Sequence, residues 1–433
     1  MDGQGQSSAS TLDAAVVSFG QPPGESARRR LSSSPLLAAV DKAGTVHIYA
    51  DTADTKEADA LVSTDGGAIF SEVDGNTANQ PLVHKVIARY LEAGDPAAWA
   101  SRLRSLQPGL TDDELIPLLY AVVCGRIGND MARAFGAGRN WQVSLQLHMN
   151  LGRDAEAAKR VGRCLRRMVP SGVVKVPFTP QTPHCFLIAR DLEREGIPVN
   201  FTSTFSARQA VAAGLLADVT LTNIFMGRIN QGLKASSLGE HVDLEAQRAL
   251  RRLRREAGIK TLLIVASVRD WQTFVRVAGC DAFTAPCDAI RGYMTQKEIP
   301  AAEVRSQLET SYEDNLGIAD DVLRAVGKER IARLFHVEPE LVQFMTELRS
   351  TKEYQNLRDG DQLYKRFDQA GFGDLFYAPT ATEWQELRKN KLPDFSSALT
   401  KRLPIDTLYT LLADADFEKF QEDMDRQIRE RIG

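Results

Sequence analysis

The chain has few cysteines, no long apolar run and no large net charge of either sign. Its five cysteines are scattered, odd in number and never spaced as C-x-x-C, so they indicate neither a disulfide framework nor a zinc site. No apolar run approaches the roughly 18 residues of a membrane-spanning helix. A net charge of −4 gives no general affinity for nucleic acid or for an acidic membrane. The six histidines are not clustered, so we expect no metal site.

The N-terminal segment is rich in Ser, Gly, Gln and Pro. It lacks the charged start and apolar run of a secretory signal, and we expect a flexible leader over residues 1–42. Together with reduced thiols, this indicates a cytoplasmic protein. The arginine run at 28–30 and the serine run at 32–34 leave an organelle transit segment as the alternative.

Between residues 43 and 298, short β-branched runs alternate with longer helical patterns. This alternation predicts parallel strands joined by crossover helices, and eight such units in about 250 residues is the count of a (β/α)8 TIM barrel. The predicted strands are 46–51, 67–79 in part, 141–147, 173–178, 198–204, 218–224, 261–267 and 282–287. Helix follows helix afterwards, so the α/β barrel is expected to carry an α-helical C-terminal extension, residues 299–433.

One predicted strand, 173–178, contains Lys175 among apolar neighbours. Lysine is rarely fully buried unless it is paired or functional. A free lysine has a pKa of about 10.4, and burial that lowered this pKa by ~3 units would make the neutral amine abundant at pH 7. An amine attacks a carbonyl carbon to form a Schiff base. Lys175 is therefore the candidate nucleophile; the alternative is a strand-edge lysine whose stem lies along the sheet.

Polar residues stand where the predicted strands end, and in a barrel of this kind the active site lies at those ends. Asp51 ends the first strand and suits proton transfer, although it could instead cap a turn or helix. Arg228 and Arg269 follow strands six and seven and suit a phosphate, although they could form surface ion pairs. Amide and hydroxyl groups in the same region suit hydrogen bonding to sugar hydroxyls, namely those of Asn79, Asn200 and Thr202, although Asn200 and Thr202 could be ordinary loop residues.

The motifs around these residues resemble those of the transaldolase family, class I Schiff-base aldolases that include the related fructose 6-phosphate aldolases. The resemblance covers roughly residues 45–290 and implies a (β/α)8 barrel, sugar-phosphate substrates and no cofactor; it leaves room for a homodimer. The motifs are ADTAD at 50–54, TAN at 77–79, VKVP at 174–177, GIPVNFT at 196–202, FSARQA at 205–210, FMGRI at 225–229 and ASVR at 266–269.

The resemblance also implies a role for each site residue. Lys175 would be the Schiff-base lysine, Asp51 the carboxylate that transfers protons, and Gln146 their catalytic neighbour. The substrate contacts would be Thr77, Asn79, Asn200, Thr202, Asn223 and Phe225. The residues that bind the substrate phosphate would be Arg228, Ser267 and Arg269.

Two of the site positions depart from the pattern of the family's transaldolases, while a third, Phe225, follows it. Where those carry a glutamate on strand three, in a pattern like Val-Ser-Thr-Glu-Val, this chain has Gln146. A glutamine can hold a water molecule but cannot exchange a proton with it. The fructose 6-phosphate aldolases have glutamine there, paired with a tyrosine where this chain keeps Phe225. Asn223 stands where a serine is usual.

These residues support three hypotheses about function. The leading one is transaldolase-type transfer, in which Lys175 carries a dihydroxyacetone unit from sedoheptulose 7-phosphate or fructose 6-phosphate to an aldose phosphate, in the pentose phosphate pathway. Gln146 favours a fructose 6-phosphate aldolase-like enzyme that releases free dihydroxyacetone. Gln146, Asn223 and the helical extension also suit a non-catalytic sugar-phosphate-binding barrel. The presence of both Asp51 and Lys175 argues against that third hypothesis.

Overall fold

Eight parallel strands close a barrel in the computed structural model, which describes residues 3–21, 31–61, 69–136 and 141–433. The strands follow one another around the barrel in chain order, and the last pairs with the first. The predicted (β/α)8 fold is confirmed. We number the strands β1 to β8: His47–Asp51, Val73–Thr77, Gln142–Gln146, Gly172–Pro177, Val199–Thr204, Leu221–Phe225, Leu262–Ala266 and Ala282–Ala285.

Helices between the strands cover the outside of the barrel, where their apolar faces bury the outward side chains of the strands. The long excursion between β2 and β3 holds three of them. In chain order the α-helices between and after the strands are Gln80–Glu92, Pro96–Leu106, Asp112–Phe135, Ala155–Met168, His184–Arg194, Ala207–Ala212, Met226–Leu233, Leu238–Glu256, Thr273–Arg276 and Cys287–Thr295.

The second predicted strand, 67–79, is shorter than expected. Residues 67 and 68 lie outside the described part of the chain. Ile69–Phe70 pairs with Leu31–Ser32 in a separate two-stranded parallel sheet, and only Val73–Thr77 joins the barrel. Asn79 ends the extended segment because its side chain accepts a 3.1 Å hydrogen bond from the backbone N–H of Leu82 and so caps the helix Gln80–Glu92.

The N-terminal segment is not the flexible leader predicted from its composition. Gly3–Gly20 is a helix, and Pro35–Lys42 is a second one. Leu12 and Val16, four residues apart on one face of the first helix, are fully buried. That helix packs against Asp112–Phe135 and Ala155–Met168, so the prediction is wrong for residues 3–20. The arginine run at 28–30 lies outside the described residues.

The C-terminal extension consists of helices and short 3-10 turns, and none of its residues, all of which are described, forms a strand. Its α-helices are Asp320–Val326, Lys328–Ala332, Pro339–Ser350, Lys352–Asn356, Gly360–Gln369, Ala381–Leu387, Ala398–Arg402 and Ile405–Ile432. The last helix packs on Gln80–Glu92 and on β5, and it lies against the carboxyl ends of the strands. Because this helix packs directly on the barrel, its contacts do not mark a separate domain. The predicted domain boundary at residue 298 therefore stays a prediction.

Within the described residues, Asp112–Phe135 is long and apolar enough to cross a membrane by length and composition. Its most apolar window is 78% buried inside the protein. It packs against β3, the N-terminal helix Gly3–Gly20 and Ala155–Met168. These contacts are those of a core helix that covers the barrel.

Candidate active site

The direction of the side chains inside the barrel follows from one apolar cluster. Five strands, not all of them neighbours, contribute to this cluster, so it crosses the interior. Its members are Tyr49, Val173, Leu221, Ile264 and Ala282. Side chains alternate along a strand, so residues two positions further on also face the interior, nearer the carboxyl ends. Those residues are Asp51, Lys175, Asn223, Ala266 and Thr284.

Lys175 is 3% exposed in the middle of the fully buried strand β4. Its Nζ donates a 2.9 Å hydrogen bond to the carbonyl oxygen of Ala78, just beyond β2. Burial lowers the pKa of Lys175 to about 8, although the negative charge of Asp51 acts in the opposite direction. With that pKa, about a tenth of the population carries a neutral amine at pH 7, far more than for a free lysine.

Asp51 accepts a 2.8 Å hydrogen bond at Oδ1 from the hydroxyl of Thr77. The Oγ1 atoms of Thr77 and Thr284 are 2.5 Å apart, so β1, β2 and β8 are linked at this point. Burial raises the pKa of Asp51, while the charge of Lys175 and the Thr77 hydrogen bond oppose that rise. The carboxyl pKa moves up and the lysine pKa moves down, so a proton passes between the two groups at a smaller free-energy cost.

Gln146 lies beside Lys175 in the neighbouring strand. It is the register partner of Lys175 between β3 and β4, and Lys175 is in turn the partner of Asn200 between β4 and β5. Paired residues of adjacent parallel strands point to the same face, so all three side chains face the barrel interior. Gln146 is buried, and its Nε2 is 3.5 Å from the carbonyl oxygen of Leu147, too far for a strong hydrogen bond.

A chain of amide and hydroxyl groups crosses β3, β5 and β6. The Nδ2 of Asn223 donates to the Oδ1 of Asn200 at 2.8 Å. Asn200 in turn donates to the hydroxyl of Ser144 at 3.2 Å, and the hydroxyl of Thr202 donates to the Oδ1 of Asn223 at 3.0 Å. The structure therefore brings together Asn200, Thr202 and Asn223. The amide of Asn223 makes two of these bonds, one through its NH2 group as donor and one through its oxygen as acceptor. A serine at this position would have to make both bonds through a single hydroxyl.

Arg228 lies where its side chain is buried between two aromatic rings. Its guanidinium carbon is 5.5 Å from the ring centre of Phe417 and 6.0 Å from that of Phe225. Its Nη2 donates a 2.9 Å hydrogen bond to Asp416 of the C-terminal helix. Burial lowers the pKa of Arg228, and Asp416 opposes the change. The alternative of an ion pair is therefore observed for Arg228, although the pair is buried and not on the surface.

The loops after β6 and β7 touch each other. A Cβ added at Gly227 would lie 2.0 Å from the carbonyl oxygen of Ser267, so only glycine permits this approach. Ser267 has a φ of 63°, in the left-handed region, so the backbone turns sharply two residues before Arg269. Arg269 lines a cavity of about 710 Å³ next to Gly227 and, among the described residues, has no hydrogen-bond or ion-pair partner.

One predicted substrate contact is engaged in a structural role. The side-chain oxygen of Asn79 caps the helix Gln80–Glu92, so the substrate contact expected of Asn79 stays a prediction. Asp51, in contrast, caps no helix and turns its carboxylate to Thr77. Four neighbours of the site were absent from the predicted set: Ser144, Thr284, Lys391 and Asp416. The ends of β3 and β8 signal Ser144 and Thr284, whereas no local pattern signals the other two.

Comparisons with known proteins bear on these residues. The Transaldolase/Fructose-6-phosphate aldolase family model matches residues 48–334. A transaldolase of Methylobacillus flagellatus is 31% identical over 153 residues, 33% of this chain and 48% of that protein. A transaldolase of Xanthomonas oryzae pv. oryzae is 28% identical over 198 residues, 42% and 61% of the two chains. One from Acidobacterium capsulatum is 26% identical over 264 residues, 58% and 74%.

The alignments with the first two of these relatives span only about half to three fifths of their length. The family match is longer. It begins in β1, includes all eight strands and runs past the last of them into the C-terminal extension. It takes in more than half of the chain, and with it the buried lysine, the carboxylate and the amide network. On that evidence the chain belongs to the transaldolase/fructose-6-phosphate aldolase family.

Proposed function

We propose that this protein is a transaldolase-type transferase that uses Lys175 as a Schiff-base nucleophile. The observation that carries the proposal is a buried lysine on the interior face of β4 whose pKa is about 8, next to the partly exposed carboxyl group of Asp51, whose pKa is raised. The family match supports the same chemistry. The substrates are sugar phosphates: a ketose phosphate as donor and an aldose phosphate as acceptor.

The first half of the reaction forms the imine and breaks a carbon–carbon bond. The neutral Nζ of Lys175 attacks C2 of the ketose, and the Asp51 carboxylate relays a proton from solvent to the departing hydroxyl, which leaves as water. The Asp51 carboxylate then takes the proton of the C4 hydroxyl. The C3–C4 bond breaks, an aldose phosphate departs, and the electron pair stays on the lysine-bound dihydroxyacetone unit as an enamine.

The second half reverses these steps with another aldose phosphate. The enamine carbon attacks the acceptor aldehyde, and Asp51 returns its proton to the new hydroxyl. Water then hydrolyses the imine and frees Lys175. The dihydroxyacetone unit is held by its hydroxyls, which hydrogen-bond to Asn200, Thr202 and Asn223. These three side chains are positioned by the hydrogen bonds among themselves.

A second candidate, favoured by Gln146, is an aldolase that releases the dihydroxyacetone unit to water. A glutamine beside Lys175 can orient a water molecule but cannot exchange a proton with it. Transfer therefore relies on Asp51 alone for proton exchange. The non-catalytic hypothesis is the least supported, because a buried amine of lowered pKa beside a carboxyl group serves no structural purpose in the barrel.

Reductive trapping tests the proposal. Fructose 6-phosphate is incubated with the protein, borohydride is added, and intact mass is measured. We expect one reduced dihydroxyacetone adduct in the wild type and in Lys159→Ala, since Lys159 is a buried lysine paired with Glu156 and Asp191. No adduct is expected in Lys175→Ala. A wild type without adduct, or an adduct that survives Lys175→Ala, refutes the Schiff base.

Supplying or withholding an acceptor then separates the two catalytic candidates. With sedoheptulose 7-phosphate as donor and glyceraldehyde 3-phosphate as acceptor, a transferase turns over, and without an acceptor it stops after one adduct. Steady release of dihydroxyacetone without acceptor would establish the aldolase instead. Within this proposal the reaction belongs to the pentose phosphate pathway and takes place in the cytoplasm, consistent with five buried, unpaired cysteines. The homodimer stays a prediction.

A further inference from the structure

A lysine of the C-terminal extension lies beside the two arginines predicted to bind phosphate. The Nζ of Lys391 is 3.4 Å from the Oδ2 of Asp416, the same oxygen that accepts the hydrogen bond from Arg228. Lys391 also lines the cavity of about 710 Å³ that Arg269 and Gly227 line. The charge of Arg269 contributes to lowering the pKa of Arg228, so the two arginines are close as well.

The segment that carries Lys391 is held on the last helix of the chain. Arg388, three residues earlier, donates hydrogen bonds to Glu418 at 2.7 Å and to Glu422 at 2.6 Å. Both glutamates belong to the helix Ile405–Ile432, which also carries Asp416. Lys391 is therefore presented to the cavity by an anchored segment.

The group has more positive charge than its neighbours neutralise. Of the other charged residues that line the cavity, Arg276 is already paired with Glu240 at 2.8 Å and with Asp270 at 3.0 Å. Arg269 has no partner among the described residues, while Asp416 is shared between Arg228 and Lys391. Counted with Arg276 and its two carboxylates, four cations meet three carboxylates, and one positive charge is left without a counter-charge.

A phosphate monoester supplies the missing charge, because it carries about −1.5 to −2 at pH 7 and three acceptor oxygens. The Lys391 side chain is 53% exposed, so its ion pair with Asp416 is screened by water and is exchanged at little cost. We propose that Lys391 binds the substrate phosphate together with Arg269, so that the C-terminal extension completes the phosphate site. The identity of the phosphate ester rests on the proposed function; the anion site does not.

The test measures phosphate binding directly and then its effect on catalysis. The dissociation constant of inorganic phosphate is measured by titration calorimetry for the wild type, Lys391→Ala, Lys391→Arg and Lys389→Ala. Lys389 is the matched control, since it is exposed in the same segment and does not line the cavity. We expect Lys391→Ala to weaken phosphate binding roughly fivefold, as one partly exposed ion pair allows, and the other two variants to bind as the wild type does.

Kinetics give the second readout. In Lys391→Ala the KM for fructose 6-phosphate is expected to rise by a similar factor with kcat little changed, while the KM for unphosphorylated fructose stays as it was. An unchanged phosphate affinity in Lys391→Ala, an equal loss in Lys389→Ala, undetectable phosphate binding by the wild type, or equal KM changes for both sugars would overturn the inference. Failure of the proposed function looks different: the wild type forms no trapped adduct although phosphate binding still depends on Lys391.

Discussion

The Nζ of Lys175 on β4 donates a 2.9 Å hydrogen bond to the carbonyl oxygen of Ala78, which follows β2. The bond passes over β3, the strand between β2 and β4, and directs the amine to the region of Asp51 and Thr77. A neutral carbonyl orients the amine while stabilising its charged form less than a contacting carboxylate would. This contact explains how Lys175 is held in place while its pKa stays at about 8.

The lowered pKa of Lys175 sets the pH dependence of imine formation. Only the neutral amine attacks a ketone, so the rate of adduct formation should rise with pH to an inflection near pH 8 and then level off. Asp51→Asn should move that inflection to lower pH, because the negative charge of Asp51 raises the pKa of Lys175. The rate is read by intact mass after incubation at each pH and a borohydride quench at one fixed pH. An inflection near that of free lysine would contradict the burial argument.

The same burial predicts that Lys175 destabilises the fold. The lysine pKa is about 8 in the folded protein and about 10.4 in the unfolded chain, so between these values the unfolded chain binds more protons and stability rises with pH. At pH 7 the cost is on the order of 3 kcal/mol. Lys175→Met should therefore raise the free energy of unfolding at pH 7, and the gain should vanish above pH ~10.5.

Urea denaturation at neutral and at alkaline pH measures this effect. Lys159→Met is the control, since Lys159 is also buried but makes ion pairs at 2.6 Å with Glu156 and at 3.1 Å with Asp191. That substitution should destabilise the protein, because it leaves the largely buried carboxylate of Asp191 with one cation fewer. If both lysine variants lose stability at pH 7, Lys175 carries no net burial penalty.

Gln146→Glu tests whether this position faces the chemistry. The substitution puts a group that can exchange protons next to Lys175, its register partner. If a water molecule is held there, the rate of transfer to glyceraldehyde 3-phosphate should rise, and general acid–base catalysis is typically worth ~10²–10⁴-fold at most. Gln142→Glu is the control, because Gln142 starts the same strand and accepts a hydrogen bond from Tyr49. An unchanged or lower rate for Gln146→Glu would show that the position has no part in proton transfer.

The last helix is tied to the barrel by a buried ion pair whose loss should be costly. Arg208 and Asp406 are almost fully buried, and Asp406 accepts hydrogen bonds from Arg208 at 2.7 and 2.9 Å. Asp406→Asn should lower the free energy of unfolding by about 3 kcal/mol in a urea titration, since the buried guanidinium of Arg208 then keeps only the partly exposed carboxylate of Asp374, at 3.1 Å. Asp321→Asn, in the exposed pair with Lys234, should shift the midpoint little. Similar shifts in the two variants would contradict this assignment.

Much of the site could be predicted because its signals are local. The strand predicted at 173–178 is found at Gly172–Pro177, and the alternation of side chains along it puts Lys175 inside the barrel. Asp51, Asn200 and Asn223 were found in the same way, since each ends or follows a short apolar run. The N-terminal helix was missed because its large apolar residues are confined to its second half, after a Ser- and Gly-rich start, and show little periodicity until a neighbouring helix covers them.

The sequence by itself determined the barrel, the buried lysine and the polar residues at the strand ends, because strand alternation and the cost of burying a charge are set by neighbouring residues. Only the tertiary structure decided that Arg228 pairs with Asp416, 188 residues away, and that Lys391 lies beside Arg269. Those contacts depend on how the last helix and the segment before it pack over the barrel. No local pattern encodes that packing, because it is the sum of many weak contacts between distant parts of the chain.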